Sequence, residues 1–584
     1  MYQDIIHTLN PKPKFNTTFY KDADLYSDGD VEDTIIKIIA ENEPDQYTDA
    51  IQNHMSWPVY YHLTHIRKNI LNWYPFQKES SVLEIGCGLG AITNMLCEQC
   101  GDVTAVELSK RRATATLLRC REKENLEIIV GNLNDIKFDK KFDYITLIGV
   151  LEYQGTFTDT DHPYLDFLME IKKLLKPNGK LLIGIENKYG LKYWCGARED
   201  HTGIPFDGMN QYTLTDRQVR TFSRRELEDL IKESGFDNTF FYYPMPDYKL
   251  PSIVYSQKRL PRNENMLNVQ LYYIPDKTTL IANEMAIYKD VIENGVFEFF
   301  ANSFLVECSD DTDLGNIIFS CHNSSRKEKY RVTTVFTSDG FVEKRPMNEE
   351  IGAAHIEQIK KNHNAMERAG KKLVSMELED GKLISPYMEE ELLEDKVLKA
   401  FARKNKFEVY RLLDKVYQEI YTSSSHISPE ENILFSLSMV EKKDMDKYGP
   451  ILQVGYLDMI LRNGFYIDGE IQWFDQEWVL EAVPVNYILF RALVELYISF
   501  PWVDTVIPLG EVVMKFNLYP VWEDYKKLQM VVLDMASDGK VIEQSQVYNG
   551  TDRNACVANI QKLISYRQLR NKFKILIPIG QRPG

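Results

Sequence analysis

Cysteine is scarce in this chain: eight in 584 residues, too few and too scattered for a disulfide framework. Cys97 and Cys100 form a lone C-x-x-C with no second pair at zinc spacing, and they read as two half-buried thiols rather than a redox or metal centre. Long apolar runs are missing too. The best stretch, 487–500, is broken by Arg491 and Glu495, so no transmembrane helix is expected. Met1-Tyr2-Gln3-Asp4 lacks the basic region and apolar core of a signal peptide. A cytoplasmic protein is expected, reaching the inner face of a membrane only through partners. No internal repeat and no low-complexity segment is visible. Positive charge falls short as well: 69 Lys and Arg against 86 Asp and Glu leave a net charge of −17. Such a field repels polyphosphate, which makes DNA and RNA poor partners.

What is present points to folded domains. Hydrophobic residues make up 44% and aromatics 12%, which excludes a disordered chain. The length exceeds one hydrophobic core, so two or three domains are expected. The most informative stretch is Val-Leu-Glu-Ile-Gly-Cys-Gly-Leu-Gly at 82–90. Residues 82–85 read as a strand, Gly86, Gly88 and Gly90 as a tight turn, and 91–98 as a helix. Glycine lets the backbone approach a nucleotide-like ligand closely, because it has no Cβ and tolerates positive φ. A second apolar strand, 103–106, ends at Glu107 about 20 residues on, where a ribose-binding carboxylate belongs.

The glycines are spaced G-x-G-x-G and Glu84 precedes them. A pyrophosphate loop rarely places a carboxylate there; a ligand with an ammonium and a sulfonium suits one. The pattern resembles motif I of class I S-adenosylmethionine-dependent methyltransferases. Val106-Glu107-Leu108-Ser109 resembles the ribose site and Gly131-Asn132-Leu133-Asn134-Asp135 the adenine loop. Residues 142–153 resemble the fourth strand, and 174–183 the helix, turn and fifth strand. The resemblance implies a Rossmann-like α/β domain. It also implies that S-adenosylmethionine lies against Glu84, Gly86, Cys87, Gly88, Gly90, Glu107, Leu108, Asn132, Leu133 and Gly149. Asn132 stands where the family usually has aspartate, which shifts the expected adenine contact toward the Leu133 backbone amide. Residues 57–73 carry apolar and aromatic side chains at helical spacing, either as a lid on the cofactor or packed on the sheet edge. Ser223 and Glu226 form a capping-box pattern, and 236–243 reads as the closing strand of the sheet.

The segment 186–203 follows the fifth strand at the carboxyl end of the sheet, where open α/β folds bind ligands. It holds aromatics, charges and His201. That histidine is a candidate catalytic residue, as a general base or an anion donor, or else a histidine of a polar loop. Lys188, Lys192 and Arg198 are candidates to hold an anionic acceptor.

In the second half, Asp458 and Asn463 have the D-x4-N spacing of a kinase catalytic loop. A strand at 464–467, the Asp468-Gly469 turn and a returning strand at 470–474 follow, with Asp475 at the end. Upstream, a hairpin carries Lys344, and the helix expected over 349–369 offers Glu357 as its ion-pair partner. Residues 383–389 resemble a last strand and hinge. This half resembles an atypical protein-kinase-like α+β fold of the aminoglycoside-phosphotransferase type. That resemblance implies Asp458 as catalytic aspartate, Lys344 and Glu357 at the nucleotide, and Asn463 and Asp475 as Mg²⁺ ligands with ATP. Two features depart from it: no glycine-rich phosphate loop is present, and Tyr456 replaces a histidine.

The order of the two halves resembles bifunctional methyltransferase–kinases that terminate bacterial surface polysaccharides. The resemblance implies a glycan or sugar-phosphate acceptor, glycosyltransferases as partners, and phosphorylation followed by methylation of the chain end. Two alternatives stay open: a methyltransferase for a sugar or small acceptor with an inactive kinase-like scaffold, and a non-catalytic binding protein. The expected layout is an N-terminal extension (1–54), a methyltransferase domain (55–255), a linker (256–289), a kinase-like domain (290–530) and a helical C-terminal extension (531–584). Arg567, Arg570, Lys572 and Lys574 make the end locally basic, most simply as a solvated helix face.

Overall fold

The computed structural model describes residues 2–21, 29–215, 219–262, 274, 276–548 and 553–574, without side chains at 2–5 and 569–574. Residues 263–273 and 275 of the expected linker, and the side chains of Arg570, Lys572 and Lys574, therefore lie outside the described residues. The chain divides into two compact units, Met1–Ser324 with Lys540–Gly584, and Ser325–Gly539. Among the described residues no helix is long and apolar enough to cross a membrane.

The front unit is built on one mixed sheet. Its strands are β1 (Lys14–Phe19), β2 (Ser81–Ile85), β3 (Asp102–Glu107), β4 (Leu126–Gly131), β5 (Phe142–Ile148), β6 (Leu175–Glu186), β7 (Asn238–Met245), β8 (Ile253–Ser256), β9 (Ser303–Ser309) and β10 (Ile317–His322). They lie in the order β1-β4-β3-β2-β5-β6-β9-β7-β8-β10. Neighbours from β1 to β6 run parallel. From β6 to β10 they run antiparallel. The central strands are mostly apolar, as expected of parallel strands covered on both faces; β2 is buried at every position, Glu84 included. Leu83, Ile145, Leu147, Leu181, Ile183, Phe241 and Val306 share one core. The helix Ala91–Gln99 follows β2 and the helix Lys110–Arg119 follows β3, so the predicted strand–turn–helix units form. The capping box forms as well: Ser223 accepts from the Glu226 amide at 3.3 Å, and the Glu226 carboxylate accepts from the Ser223 amide at 2.8 Å.

Four expectations about layout are corrected. The strand after the capping box, β7, does not close the sheet, because β8 and β10 lie beyond it. β9 lies between β6 and β7, pairing antiparallel with both, so the front unit runs on to residue 324 rather than ending at 255. The boundary at 290 fails for the same reason: β9 completes its hydrogen bonds only in the front sheet. The C-terminal segment is split. The helix Trp522–Ala536 belongs to the rear unit. Residues from 540 on return to the front unit, where Gln544 donates to the Thr48 carbonyl at 2.7 Å and Tyr548 stacks on Tyr60 with ring centroids 5.3 Å apart. The single helix expected over 57–73 is a helix Trp57–Leu63 followed by a 3-10 turn His65–Ile70. Thr64 breaks it, its hydroxyl accepting from the Ile66 amide at 3.4 Å.

The rear unit opens with β11 (Val332–Thr337), β12 (Phe341–Pro346), β13 (Glu377–Glu379) and β14 (Lys382–Pro386), antiparallel in the order β11-β12-β14-β13. The helix Glu349–Arg368 packs on it. Next come β15 (His426–Ile427), β16 (Ile451–Tyr456), β17 (Gly464–Ile467), β18 (Glu470–Trp473) and β19 (Val479–Pro484). β17 and β18 form the predicted hairpin, and Asp468 and Gly469 at its tip have φ of 50° and 83°, as a two-residue hairpin turn requires. Leu412, Val416, Ile451, Trp473, Leu489 and Leu493 are central to the core that ties the long helices to these strands.

Candidate functional site

In the front unit a cleft of about 330 Å³ opens at the carboxyl ends of the parallel strands, a size suited to one small ligand. Its wall includes Glu84, Gly86, Cys87, Gly88, Glu107, Leu108, Asn132, Leu133, Gly149 and His201. Gly90 stands just behind this wall, opening the helix after the loop at φ 78°. Gly86 has φ 75°, and a Cβ on it would meet Val150 Cγ2 at 2.5 Å. At Gly88, φ is 57° and no atom lies within 4 Å of where a Cβ would stand; that space faces the cleft. The Cys87 thiol is buried and burial raises its pKa, which makes it part of the wall rather than a nucleophile.

The two carboxylates of the cofactor end behave differently. Glu107 accepts from the Gly88 amide at 2.8 Å and from the Ser109 amide at 3.0 Å, so its head is fixed. Glu84 is buried, and burial lifts its pKa to about 7; its Oε2 has no hydrogen-bond partner. A buried acceptor left in that state is costly, and a ligand ammonium would satisfy it. Asn132 uses its side chain locally, accepting from the Asn134 amide at 3.0 Å, in line with an adenine contact carried by the following backbone. Trp57 and Tyr61 reach the cleft from the helix before the sheet, in the lid position.

The other end of the cleft is acidic. Glu152 follows β5, Glu186 ends β6, and both are essentially unexposed. His201 Nε2 stands 3.6 Å from Glu152 Oε1 and 4.0 Å from Glu186 Oε2, and its Nδ1 stands 3.0 Å from Glu199 Oε1. Burial works against a charge on this imidazole, but the three carboxylates raise its pKa well above the usual range. A protonated ring is a poor general base. Lys249 pairs with Glu186 and, at 2.8 Å, with Asp200. The cations expected to hold an anion are engaged elsewhere. Lys188 pairs with Glu226 at 2.7 Å, Lys192 with Asp247 at 2.7 Å and Asp200 at 2.8 Å, and Arg198 with Asp276 at 2.5 Å. Only His201 of that set lines the cleft.

In the rear unit Lys344 pairs with Asp475 and Glu477. Burial opposes its charge, yet those carboxylates hold its pKa above the ordinary lysine range. Glu477 also receives Arg326 at 2.5 Å and has His355 at 3.9 Å. Burial opposes the Glu477 charge too, but Lys344 and Arg326 drive its pKa well below the carboxylate range. Asp458 is buried. Its carboxylate accepts from the amides of Glu477 at 3.0 Å and Trp478 at 2.8 Å, and burial lifts its pKa to about 6. Asn463 donates its side-chain amide to the Asp458 carbonyl at 3.1 Å, and its own carbonyl accepts from the Phe474 amide at 2.9 Å, one residue before Asp475. Lys344, Asp458, Asn463 and Asp475 therefore belong to one neighbourhood. Glu357 does not. It is exposed and faces Lys361 at 3.7 Å, because the helical period buries His355, Ile356, Ile359 and His363 instead. Glu477 takes the partner role expected of it.

Glu152, Glu186 and Lys249 in the front cleft, and Glu477 behind, were not singled out as site residues from the sequence. Glu152 and Glu186 carried a usable signal, since each is acidic and directly follows or ends a parallel strand at its ligand-binding end. Glu477 carried only its proximity to Asp475.

Fold and cleft together define a class I S-adenosylmethionine-dependent methyltransferase unit. Residues 83–183 match the family model described as a methyltransferase domain. An uncharacterized methyltransferase of Staphylococcus carnosus is 40% identical over 171 residues, covering 29% of this chain and 75% of that protein. The chain belongs to this methyltransferase family, and S-adenosylmethionine is its cofactor. Malonyl-[acyl-carrier protein] O-methyltransferase of Priestia megaterium is 27% identical over 122 residues, 20% of this chain and 42% of the relative. Apart from the staphylococcal protein, the chain spans about half the length of the curated relatives it matches. The solved structure of N-methyltransferase NodS from Bradyrhizobium japonicum with S-adenosyl-L-homocysteine is 17% identical, covers 27% of this chain and 75% of that one, and has a TM-score of 0.18.

Proposed function

We propose that the front unit methylates a hydroxyl group of a small polar acceptor of the sugar class. The observation that carries this is the acidic rim at the acceptor end. Glu152, Glu186 and Asp200 line it with Lys249 and His201 paired among them, and Lys188, Lys192 and Arg198 are engaged by Glu226, by Asp247 and Asp200, and by Asp276. With its cations already paired and acceptor oxygens left over on Glu152 and Glu186, such a rim suits hydroxyl hydrogens better than a phosphate.

S-adenosylmethionine supplies the methyl group on a sulfonium. Glu84 would meet the ammonium of its methionine part, Glu107 the ribose hydroxyls, and the Asn132–Leu133 backbone the adenine edge. Gly86, Gly88 and Gly149 keep the wall clear. Glu152, with Oε2 unpartnered, is placed to take the proton of the acceptor hydroxyl as oxygen attacks the methyl carbon. His201 packs against Glu152 and Glu186 and helps hold both carboxylates in place. Trp57 and Tyr61 exclude water from the cleft, which strengthens every charge interaction inside it.

A second reading follows from the convergence of Lys344, Asp475, Asp458 and Asn463. The rear unit phosphorylates a glycan end with Mg-ATP, with Asn463 and Asp475 at the metal and Asp458 on the acceptor hydroxyl. In that scheme the front unit methylates the new phosphate, and glycosyltransferases are the partners that deliver the chain. The acidic front rim weighs against its methylation step.

Radiolabel from S-[methyl-³H]adenosylmethionine, offered with matched neutral glycans and their phosphorylated forms, separates the readings. Labelling of the neutral acceptor at least tenfold above the phosphorylated one is expected. The reverse preference, or label dependent on prior ATP treatment, establishes the second reading.

A further inference from the structure

We propose that Glu152, Glu186 and His201 form a site for one divalent metal ion that also takes the acceptor oxygen; this rests on the front cleft being a hydroxyl-methylating site. One ligand atom from each residue lies within 4.8 Å of the other two. All three residues line the cleft. They come from the 3-10 turn Leu151–Tyr153 after β5, the end of β6 and the segment after β6, so one of them is aimed by a strand and two by the loops that follow the sheet.

The second observation is the state of the two carboxylates. Glu152 is 1% exposed and Glu186 0%, yet Glu152 Oε2 and Glu186 Oε2 have no hydrogen-bond partner. The unpartnered Glu186 oxygen is the one that faces His201 Nε2, at 4.0 Å. A buried oxygen in that state asks for a cation or a proton: Glu186 Oε2 is turned to the ion, and Glu152, whose Oε1 faces His201 Nε2 at 3.6 Å, keeps Oε2 for a proton. Ligands held about 2.1 Å from one ion stand roughly 3.0–3.5 Å apart. The observed 3.6 and 4.0 Å from His201 to the two carboxylates need a contraction of a few tenths of an ångström, and all three ligand atoms lie within 4.8 Å of one another.

The surrounding contacts match those of a metal ligand set. His201 Nδ1 meets Glu199 Oε1 at 3.0 Å, which fixes the ring with Nε2 toward Glu152 and Glu186; the ion takes the place of the Nε2 proton, which is released to solvent on binding. Tyr248 donates to Glu186 Oε1 at 3.2 Å, and Lys249 binds the same oxygen, so Oε2 is the oxygen left for a metal. One imidazole and two carboxylates suit Mn²⁺ or Zn²⁺ rather than Ca²⁺. Three protein ligands leave positions open for the acceptor. There the ion polarises the hydroxyl, and its proton passes to the free oxygen of Glu152. The oxygen then forms a bond to the methyl carbon, the carbon–sulfur bond breaks, and sulfur keeps the electron pair as a neutral thioether.

The full-length chain, stripped with EDTA and titrated with Mn²⁺, tests the site by electron paramagnetic resonance of the free ion. Binding is expected to weaken at least tenfold in Glu186→Gln and in His201→Ala, with S-adenosylhomocysteine affinity held within threefold and Asp475→Ala without effect on this ion. Native protein carrying [¹³C-methyl]S-adenosylmethionine gives a readout that needs no variant: Mn²⁺ should broaden the methyl resonance. An unbroadened methyl signal, or Mn²⁺ binding indifferent to both substitutions, overturns the site. Neither result bears on the preference for neutral over phosphorylated acceptors, which is read separately.

Discussion

The front cleft and the rear cluster both bury carboxylates, and they settle the charge in opposite ways. In the rear unit Glu477 is matched by Lys344 and Arg326, and its pKa falls well below the usual range. In the front unit Glu84, Glu152 and Glu186 each keep one oxygen without a partner, and burial lifts Glu84 to about 7. A cluster that neutralises itself is stable empty. A wall of unsatisfied acceptors is complete only with something cationic against it. The contrast separates a site whose ligand is chemically demanded from one whose residues hold each other in place.

Removing Lys344 tests the rear half of that contrast with the largest effect. Lys344→Met leaves Asp475 and Glu477 facing Arg326 alone, and the expected loss is about 3 kcal/mol of stability, the scale for breaking a buried pair from one side. Denaturant unfolding followed by Trp fluorescence checks it; a shift below about 1 kcal/mol means the cluster is solvated and the comparison fails.

Gly86→Val attacks the front wall next. The left-handed φ costs a side chain on the order of 1–2 kcal/mol, and the Cβ meets Val150 Cγ2 at 2.5 Å. S-adenosylhomocysteine affinity by calorimetry should drop at least tenfold. Unchanged affinity would mean that the loop does not touch the cofactor.

The pH response of Glu84 sharpens the difference. Its folded pKa, about 7, lies above its ordinary value of 4.5. It therefore contributes most to the stability of the ligand-free fold below pH 4.5, and that contribution is lost as pH rises through 7. Cofactor binding follows the opposite sign, since an ammonium prefers the ionised carboxylate. Affinity should fall as pH drops below about 7, by up to roughly tenfold per unit, and Glu84→Gln should flatten the profile. A flat profile in the unsubstituted chain places the ammonium elsewhere.

The smallest effect belongs to Ser223→Ala. Losing the cap should cost about 1 kcal/mol and lower the melting temperature while leaving cofactor affinity unchanged. A change in affinity would tie the helix Arg224–Glu233 to the cleft.

Much of the cofactor end was legible because its signals are local. The G-x-G-x-G turn, Glu84 and the chain from β3 to Glu107 each depend on a few consecutive residues, and φ at Gly86, Gly88 and Gly90 is 75°, 57° and 78°, as their spacing implied. The hairpin around Asp468-Gly469 was legible for the same reason. The acceptor end was not. Glu152, Glu186 and His201 belong to different segments of the chain, and no pattern in any one of them says that they meet. Glu357 failed because sequence distance suggests several partners for Lys344, whereas the helix turns only one face inward.

The amino-acid sequence alone determined the parallel β-α-β core and the glycine turn at the cleft, because short-range periodicity and glycine stereochemistry act over a few residues. The tertiary structure alone decided that β9 slots between β6 and β7, that residues after 540 return to the front unit, and that Glu477 rather than Glu357 answers Lys344. It also decided which buried carboxylates are neutralised and which are left facing a cleft. Strand insertion and charge pairing are long-range choices, made by whichever distant segment completes the hydrogen bonds and offsets the burial of a charge at least cost.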